Sequence, residues 1–126
     1  MMVTKTPKQV ALVVEDDKST LKMMYYYLRD DYDSLFAESV LKAKEILEAN
    51  IVDIILLDLS LEGKEDGLDL VRELRQSKRW AGLPIIATTA HAFSTDRDQC
   101  MQAGCDDYLA KPISRDQLLK KMQDWL

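Results

Sequence analysis

Histidine, glycine and cysteine are scarce in this chain: one His, four Gly and two Cys stand among its 126 residues. His91 has no second His or Cys close to it in sequence, so it reads as an exposed loop residue rather than a zinc ligand. Cys100 and Cys105 lie in one segment with no further cysteine to pair with, which excludes a disulfide framework and a cysteine zinc site; free thiols are expected. No glycine-rich turn follows the first apolar run, where Glu15, Asp16 and Asp17 stand instead. Three acids there would repel a phosphate that such a loop is built to cradle. An excess of basic charge is missing too: 22 acids oppose 17 bases, a formal net charge of −5, which argues against direct binding to nucleic acid. No apolar run is long enough to span a bilayer, and Met1 to Gln9 is polar, with two lysines and no signal-peptide core. A cytoplasmic protein without membrane insertion is expected. The length fits one domain, with residues 1–8 as a flexible N-terminal segment, residues 9–126 as the folded unit, and no linker or second domain.

What the chain does have is alternation. Val10 to Val14 is a compact apolar run, followed by Leu21, Met24, Tyr25 and Leu28 at helical spacing. Ser34 to Ala37 is a weaker strand candidate, with a helix marked by Val40, Ala43 and Leu47 behind it. Ile54 to Leu57 is fully apolar, which suits a strand buried on both faces of a parallel sheet. Glu62 to Gly67, with two glycines and four charges, reads as a loop before a helix begun by Leu68, Val71 and Leu74. Ile85 to Thr89 is a further strand, Asp96 to Gln102 a weak helix stopped by Gly104, and Tyr108 to Ala110 a last short strand. Ser114 and Gln117 have capping-box spacing ahead of Leu118, Met122 and Trp125. A βα unit repeated five times implies an α/β fold: a doubly wound, five-stranded parallel sheet, (βα)5, with helices on both faces.

In such a sheet ligands bind beyond the carboxyl ends of the strands. Strand one delivers Glu15, Asp16 and Asp17 there, strand three Asp58, strand four Thr88 and Thr89, and strand five Lys111 followed by Pro112. Crowded carboxylates cannot all ionise without a cation. A hard divalent cation with oxygen ligands relieves the conflict, and magnesium suits a site that also handles phosphate. With a lysine and a hydroxyl beside them, the acids form a cradle for a phosphoryl group on a nucleophilic carboxylate. Asp17 reads as a helix cap, Thr88 as packing, Arg72 to Arg79 as a solvated basic face, and Tyr25–Tyr26–Tyr27 as one core ring with two at the surface.

The segments VVEDD, LLDLSLEGKEDG, IIATTAHA and DDYLAKPI, in this order and at these strand ends, resemble the motifs of bacterial response-regulator receiver domains from about Val10 to Leu126. The resemblance implies a flavodoxin-like strand order 2-1-3-4-5 and a receiver domain over residues 9–126. It implies Asp58 as phosphoacceptor, Asp16 as a direct magnesium ligand, Glu15 acting through a coordinated water, and the backbone carbonyl of Ser60 in the metal shell. Thr89 and Lys111 would contact phosphoryl oxygens, Thr89 and Tyr108 would switch conformation, and Lys111–Pro112 would be a cis peptide. Ser60 and His91 would tune self-dephosphorylation, toward an ordinary or slow rate. The implied partners are a histidine kinase or histidine phosphotransfer protein, and a downstream protein reading the surface built by the last two helices and the last strand. The chain departs from the family pattern at Glu62, where proline is frequent, and in a loop to Gly67 one residue longer than usual.

Three alternatives stand beside this switch, which is expected not to be an enzyme in the ordinary sense. A haloacid-dehalogenase-type phosphohydrolase would want an acid two residues after Asp58, where Ser60 stands. A flavodoxin-like cofactor carrier would want a phosphate loop after strand one. A receiver-like interaction module that is never phosphorylated would not need the complete acid set.

Overall fold

The computed structural model describes residues 7–60, 64–90 and 94–126. Residues 1–6 of the expected N-terminal segment, Glu62 and His91 lie outside the described residues. The elements alternate as β1 (Gln9–Val14), α1 (Lys18–Leu28), β2 (Tyr32–Ala37), α2 (Val40–Ala49), β3 (Ile54–Asp58), α3 (Lys64–Gln76), β4 (Ile85–Thr89), α4 (Ser94–Ala103), β5 (Asp107–Ala110) and α5 (Arg115–Trp125). All neighbouring strands pair in parallel, in the order β2-β1-β3-β4-β5. This is the doubly wound five-stranded sheet and the 2-1-3-4-5 order that the sequence implied.

Side chains of a strand alternate between faces, and the core divides accordingly. Leu12, Val14, Ile55, Leu57, Ile85 and Ala87 face α2, α3 and α4, which supply Ala43, Leu47, Leu68, Val71, Leu74 and Cys100. Ala11, Val13, Ile54, Leu56, Ile86 and Leu109 face α1 and α5, which supply Met24, Leu28, Leu118 and Met122. β3 and β4 are buried at every position, which explains their unbroken apolar character.

Local signals fix the helix starts. Asp17 caps α1, accepting from the Thr20 backbone N–H at 2.9 Å and its hydroxyl at 2.7 Å. Ser39 and Ser114 cap α2 and α5 through the N–H groups of Lys42 and Gln117, both at 3.1 Å. In the tyrosine run, Tyr27 is half-buried and donates to the Ile113 carbonyl at 3.2 Å, while Tyr25 and Tyr26 are exposed.

Three expectations need correction. The stretch Glu62 to Gly67 is not all loop, because α3 already begins at Lys64 and buries Gly67. A helical glycine costs roughly 0.5–1 kcal/mol, while each of the buried Leu68, Leu70, Val71 and Leu74 contributes about 1.5–3 kcal/mol, so packing overrides the local preference. The basic stretch Arg72 to Arg79 is not simply a solvated face either. The Arg75 side chain is only 19% exposed and reaches five acceptors on two segments, Trp80 to Leu83 and Gly104 to Asp106. β2 is also two residues longer at its start than Ser34 to Ala37 suggested, opening with the buried Tyr32.

Candidate functional site

The carboxyl ends of β1, β3, β4 and β5 meet at one edge of the sheet. β1 and β3 are adjacent, with Val14 opposite Leu57, so the next residues outward, Glu15 and Asp58, are neighbours. Asp58 is paired with Thr88 of β4, and Thr89 with Ala110 of β5, which brings Lys111 to the same edge. The Lys111 N–H donates to the Thr89 carbonyl at 2.8 Å, closing that corner. Glu15 and Asp58 are 2% and 3% exposed, deep enough that their charges need partners.

The partner is Lys111. Its Nζ donates to Glu15 Oε1 at 3.0 Å and to Asp58 Oδ2 at 3.1 Å. Backbone N–H groups take the remaining oxygens. Asp58 Oδ1 accepts from Ser60 at 2.8 Å, and Glu15 Oε2 from Asp16 at 3.0 Å and Asp17 at 3.3 Å. One ammonium thus faces two buried carboxyl groups, and the two respond differently. Burial pushes the Glu15 carboxyl up to about 7, with the Asp58 carboxylate adding to the rise and Lys111 opposing it. Burial acts to raise Asp58 as well, but hydrogen bonds from Glu15, the Ser60 N–H and Lys111 outweigh it and hold Asp58 below its ordinary value. For Lys111, burial acts downward and the two carboxyl groups outweigh it, so it stays protonated above its usual range. Burial and hydrogen bonding thus push the two carboxyl groups in opposite directions, Glu15 up and Asp58 down.

Asp16 completes the cluster from its exposed position. Glu15, Asp16 and Asp58 each place a carboxylate oxygen within 4.8 Å of the others. The donor set is oxygen only, and it carries more negative charge than Lys111 balances, so the residues fit a hard divalent cation. The structure brings together the expected Glu15, Asp16, Asp58 and Lys111. Thr89 is buried at the end of β4 beside them, and Lys111–Pro112 is a cis peptide. Thr88 is also buried, its carbonyl accepting from the Leu59 N–H at 2.8 Å. Tyr108 sits lower on β5, opposite Ala87, half-buried with the Arg97 guanidinium 5.6 Å from its ring centre. Cys100 and Cys105 are free and buried.

Two features escaped the sequence reading. The Ser60 hydroxyl accepts from the Ala90 N–H at 3.3 Å, linking the turns after β3 and β4. Arg75 gathers its acceptors at the opposite edge of the sheet. A signal for the second existed: Arg75 lies four residues after Val71 and seven after Leu68, on the buried stripe of its helix.

The comparisons with known proteins agree with this geometry. The family model described as response regulator receiver domain matches residues 11–123. The chain is 34% identical over 119 residues to the alginate biosynthesis transcriptional regulatory protein AlgB of Pseudomonas aeruginosa; this covers 93% of the chain and 26% of AlgB, so it spans about a quarter of that relative. It is 28% identical over 116 residues to the polar-differentiation response regulator DivK of Brucella ovis, covering 91% of the chain and 94% of DivK. Among solved structures, the receiver domain of the sensor histidine kinase PA1611 from Pseudomonas aeruginosa superposes with a TM-score of 0.84 at 36% identity, over 94% of this chain and 97% of that one, and that crystal structure holds a magnesium ion in its active-site cleft. No helix among the described residues is long and apolar enough to cross a membrane.

Proposed function

The chain belongs to the response regulator receiver domain family of two-component signalling, and from that premise we propose that Asp58 is its phosphoacceptor. The observation that carries this reading is the buried Asp58 carboxylate, 3.1 Å from the Lys111 ammonium at the edge where Glu15 and Asp16 converge. Hydrogen bonds from Glu15, the Ser60 N–H and Lys111 hold Asp58 low and favour its ionised form, while burial raises Glu15. Only an ionised carboxylate is a useful oxygen nucleophile.

The donor is the phosphohistidine of a histidine kinase or histidine phosphotransfer protein. An Asp58 carboxylate oxygen bonds to phosphorus as the phosphorus–nitrogen bond breaks, and the imidazole leaves with the electron pair and takes up a proton. Lys111 neutralises charge on the transferring oxygens, and Thr89 offers its hydroxyl to one of them. A magnesium ion would be held by Asp16, Asp58 and the Ser60 backbone carbonyl, with Glu15 acting through water, and supplies further positive charge to those oxygens when bound. The new dianion draws Thr89 and Lys111 toward it, and Tyr108 and the α4-β5-α5 surface change in response. Reversing a two-state balance fully takes about 5.5 kcal/mol of differential stabilisation, within the range of a few charge-assisted hydrogen bonds. The protein acts as a switch with slow self-dephosphorylation rather than as an enzyme with an external substrate, and Ser60 and His91 set the lifetime.

Incubation with acetyl phosphate and magnesium, read by intact mass, tests this. One phosphoryl group is expected on the wild type and none on Asp58→Asn. An unmodified wild type, or a modified Asp58→Asn, overturns the assignment.

A further inference from the structure

Lys111 differs from the other groups of the site in how its backbone is held. The sheet order sets β1, β3 and β4 between neighbours, so the strands that carry Glu15, Asp58 and Thr89 are flanked on both sides. Lys111 instead follows β5, an edge strand four residues long with β4 beside it. Its N–H donates to the Thr89 carbonyl at 2.8 Å, which ties it on that side. Yet its side chain has the strictest geometric task in the site. The Nζ stands 3.0 Å from Glu15 Oε1 and 3.1 Å from Asp58 Oδ2, one charge shared between two buried carboxyl groups. A lysine side chain is long and flexible, so its reach is only as well defined as the backbone it starts from.

Braces from the helices make up for the missing strand. At the start of β5, Asp107 takes the Lys121 ammonium at 2.9 Å and the Trp125 indole N–H at 3.0 Å, both from α5. Beyond its end the chain passes Pro112, which has no N–H to give, and reaches Ile113. The Ile113 side chain is buried in the core between the sheet, α1 and α5, with Met24, Leu28 and Leu118. Its carbonyl accepts from the Tyr27 hydroxyl at 3.2 Å, a bond that spans 86 residues of sequence. The Tyr27 ring packs against the same core, which aims the hydroxyl, and Ser114 then caps α5. The turn from Lys111 to Ser114 is thus clasped between Thr89 on the sheet side and Tyr27 on the helix side. Phenylalanine or leucine would fill position 27 of this core as well; what tyrosine adds is the polar tip.

We infer that Tyr27 is a positioning residue for Lys111, its hydroxyl steadying the turn beyond the edge strand so that the ammonium stands ready for the phosphoryl group. The inference rests on the phosphoacceptor reading of Asp58 given above. Tyr27 acts on the turn after β5, whereas the acids that fit the cation stand at the ends of β1 and β3. Loss of the hydroxyl should therefore leave magnesium binding alone. It should weaken the neutralisation of charge on the transferring oxygens, which depends on where the ammonium stands.

Tyr27→Phe removes one oxygen atom and keeps the ring in the core. Loading of the full chain by acetyl phosphate is followed by intact mass over a range of magnesium concentrations. At saturating magnesium the rate is expected to fall about three- to tenfold, the scale of one hydrogen bond. The magnesium concentration that gives half the maximal rate is expected to match the wild type. Tyr26→Phe, at an exposed position on the same helix, is the control and should load at the wild-type rate. A second readout uses protein carrying isotopically labelled lysine. The Lys111 ε-methylene resonance, identified by its loss in Lys111→Arg, is expected to shift and broaden in Tyr27→Phe before any phosphodonor is added. Tyr27→Phe that loads like the wild type overturns the inference. A slower rate that Tyr26→Phe shares, or one with the Lys111 resonance unmoved, also overturns it, because either marks a general loosening of α1. A wild type that never loads sinks the phosphoacceptor reading instead, and the resonance, read without phosphodonor, still decides whether Tyr27 positions Lys111.

Discussion

The two edges of this sheet each hold a cluster of charge, and the clusters are built on opposite principles. At the amino edge the Arg75 guanidinium meets one carboxylate and four backbone carbonyls, and its donors are taken up by protein. At the carboxyl edge one ammonium meets two buried carboxyl groups with a third acid close by, and the charges do not balance. A balanced, hydrogen-bonded cluster fixes structure, because any partner removed leaves the others buried and unmet. An overcharged cluster stores a preference for something from outside, here a cation and a phosphoryl group, and that preference opposes stability while the site waits.

Mutation should therefore push the two edges in opposite directions. The largest effect is expected for Arg75→Met, a loss of about 3 kcal/mol in urea unfolding, since Asp106 and the carbonyls lose a partly buried partner. A loss below about 1 kcal/mol would make the amino edge no more structural than an exposed ion pair. Gly104→Ala should cost about 1–2 kcal/mol by the same measurement, because it places a side chain at φ 119° and against Arg75. At the other edge, Glu15→Gln is expected to stabilise the protein by about 1 kcal/mol at pH 8 while weakening its response to magnesium. A clear destabilisation at pH 8 would mean that this cluster, too, is built for stability.

The same carboxyl group sets a pH trend. Burial raises Glu15 from 4.5 to about 7, so between those values the folded chain holds a proton that the unfolded chain releases. Stability should then fall as pH rises through this window, by up to roughly 3 kcal/mol. Asp58, held low, contributes stability that is lost only in acid below this window, and Lys111, held high, contributes stability lost only above it, so neither sets the slope. Magnesium should raise the melting temperature more at pH 8 than at pH 6, because it competes with the Glu15 proton. Glu15→Gln should flatten both trends.

Much of the overcharged edge was legible in the sequence. Glu15, Asp16, Asp58 and Lys111 each follow a short apolar run, and parallel pairing leaves the ends of such runs nowhere else to go. Asp17 and Ser114 announced themselves as caps because their chemistry is local. The balanced edge was hidden because its partners are remote. Arg75 and Asp106 are 31 residues apart, and an arginine in a basic stretch looks solvated until the turn it reaches is in place. The start of α3 was hidden by Gly67, a residue whose local preference opposes the helix that its neighbours' burial imposes. The Ser60–Ala90 bond joins two turns that carry no periodic pattern at all.

Asp106 and Asp107 are consecutive, yet they serve opposite layers of the molecule. The first takes Arg75 and the Ile85 N–H, and the second takes Lys121 at 2.9 Å and the Trp125 indole N–H at 3.0 Å. Deleting one residue between Gly104 and Tyr108 would turn each carboxylate toward the wrong side, stranding a guanidinium in one layer and an indole in the other. Grafts and insertions that surface loops ordinarily tolerate should find no foothold in this turn.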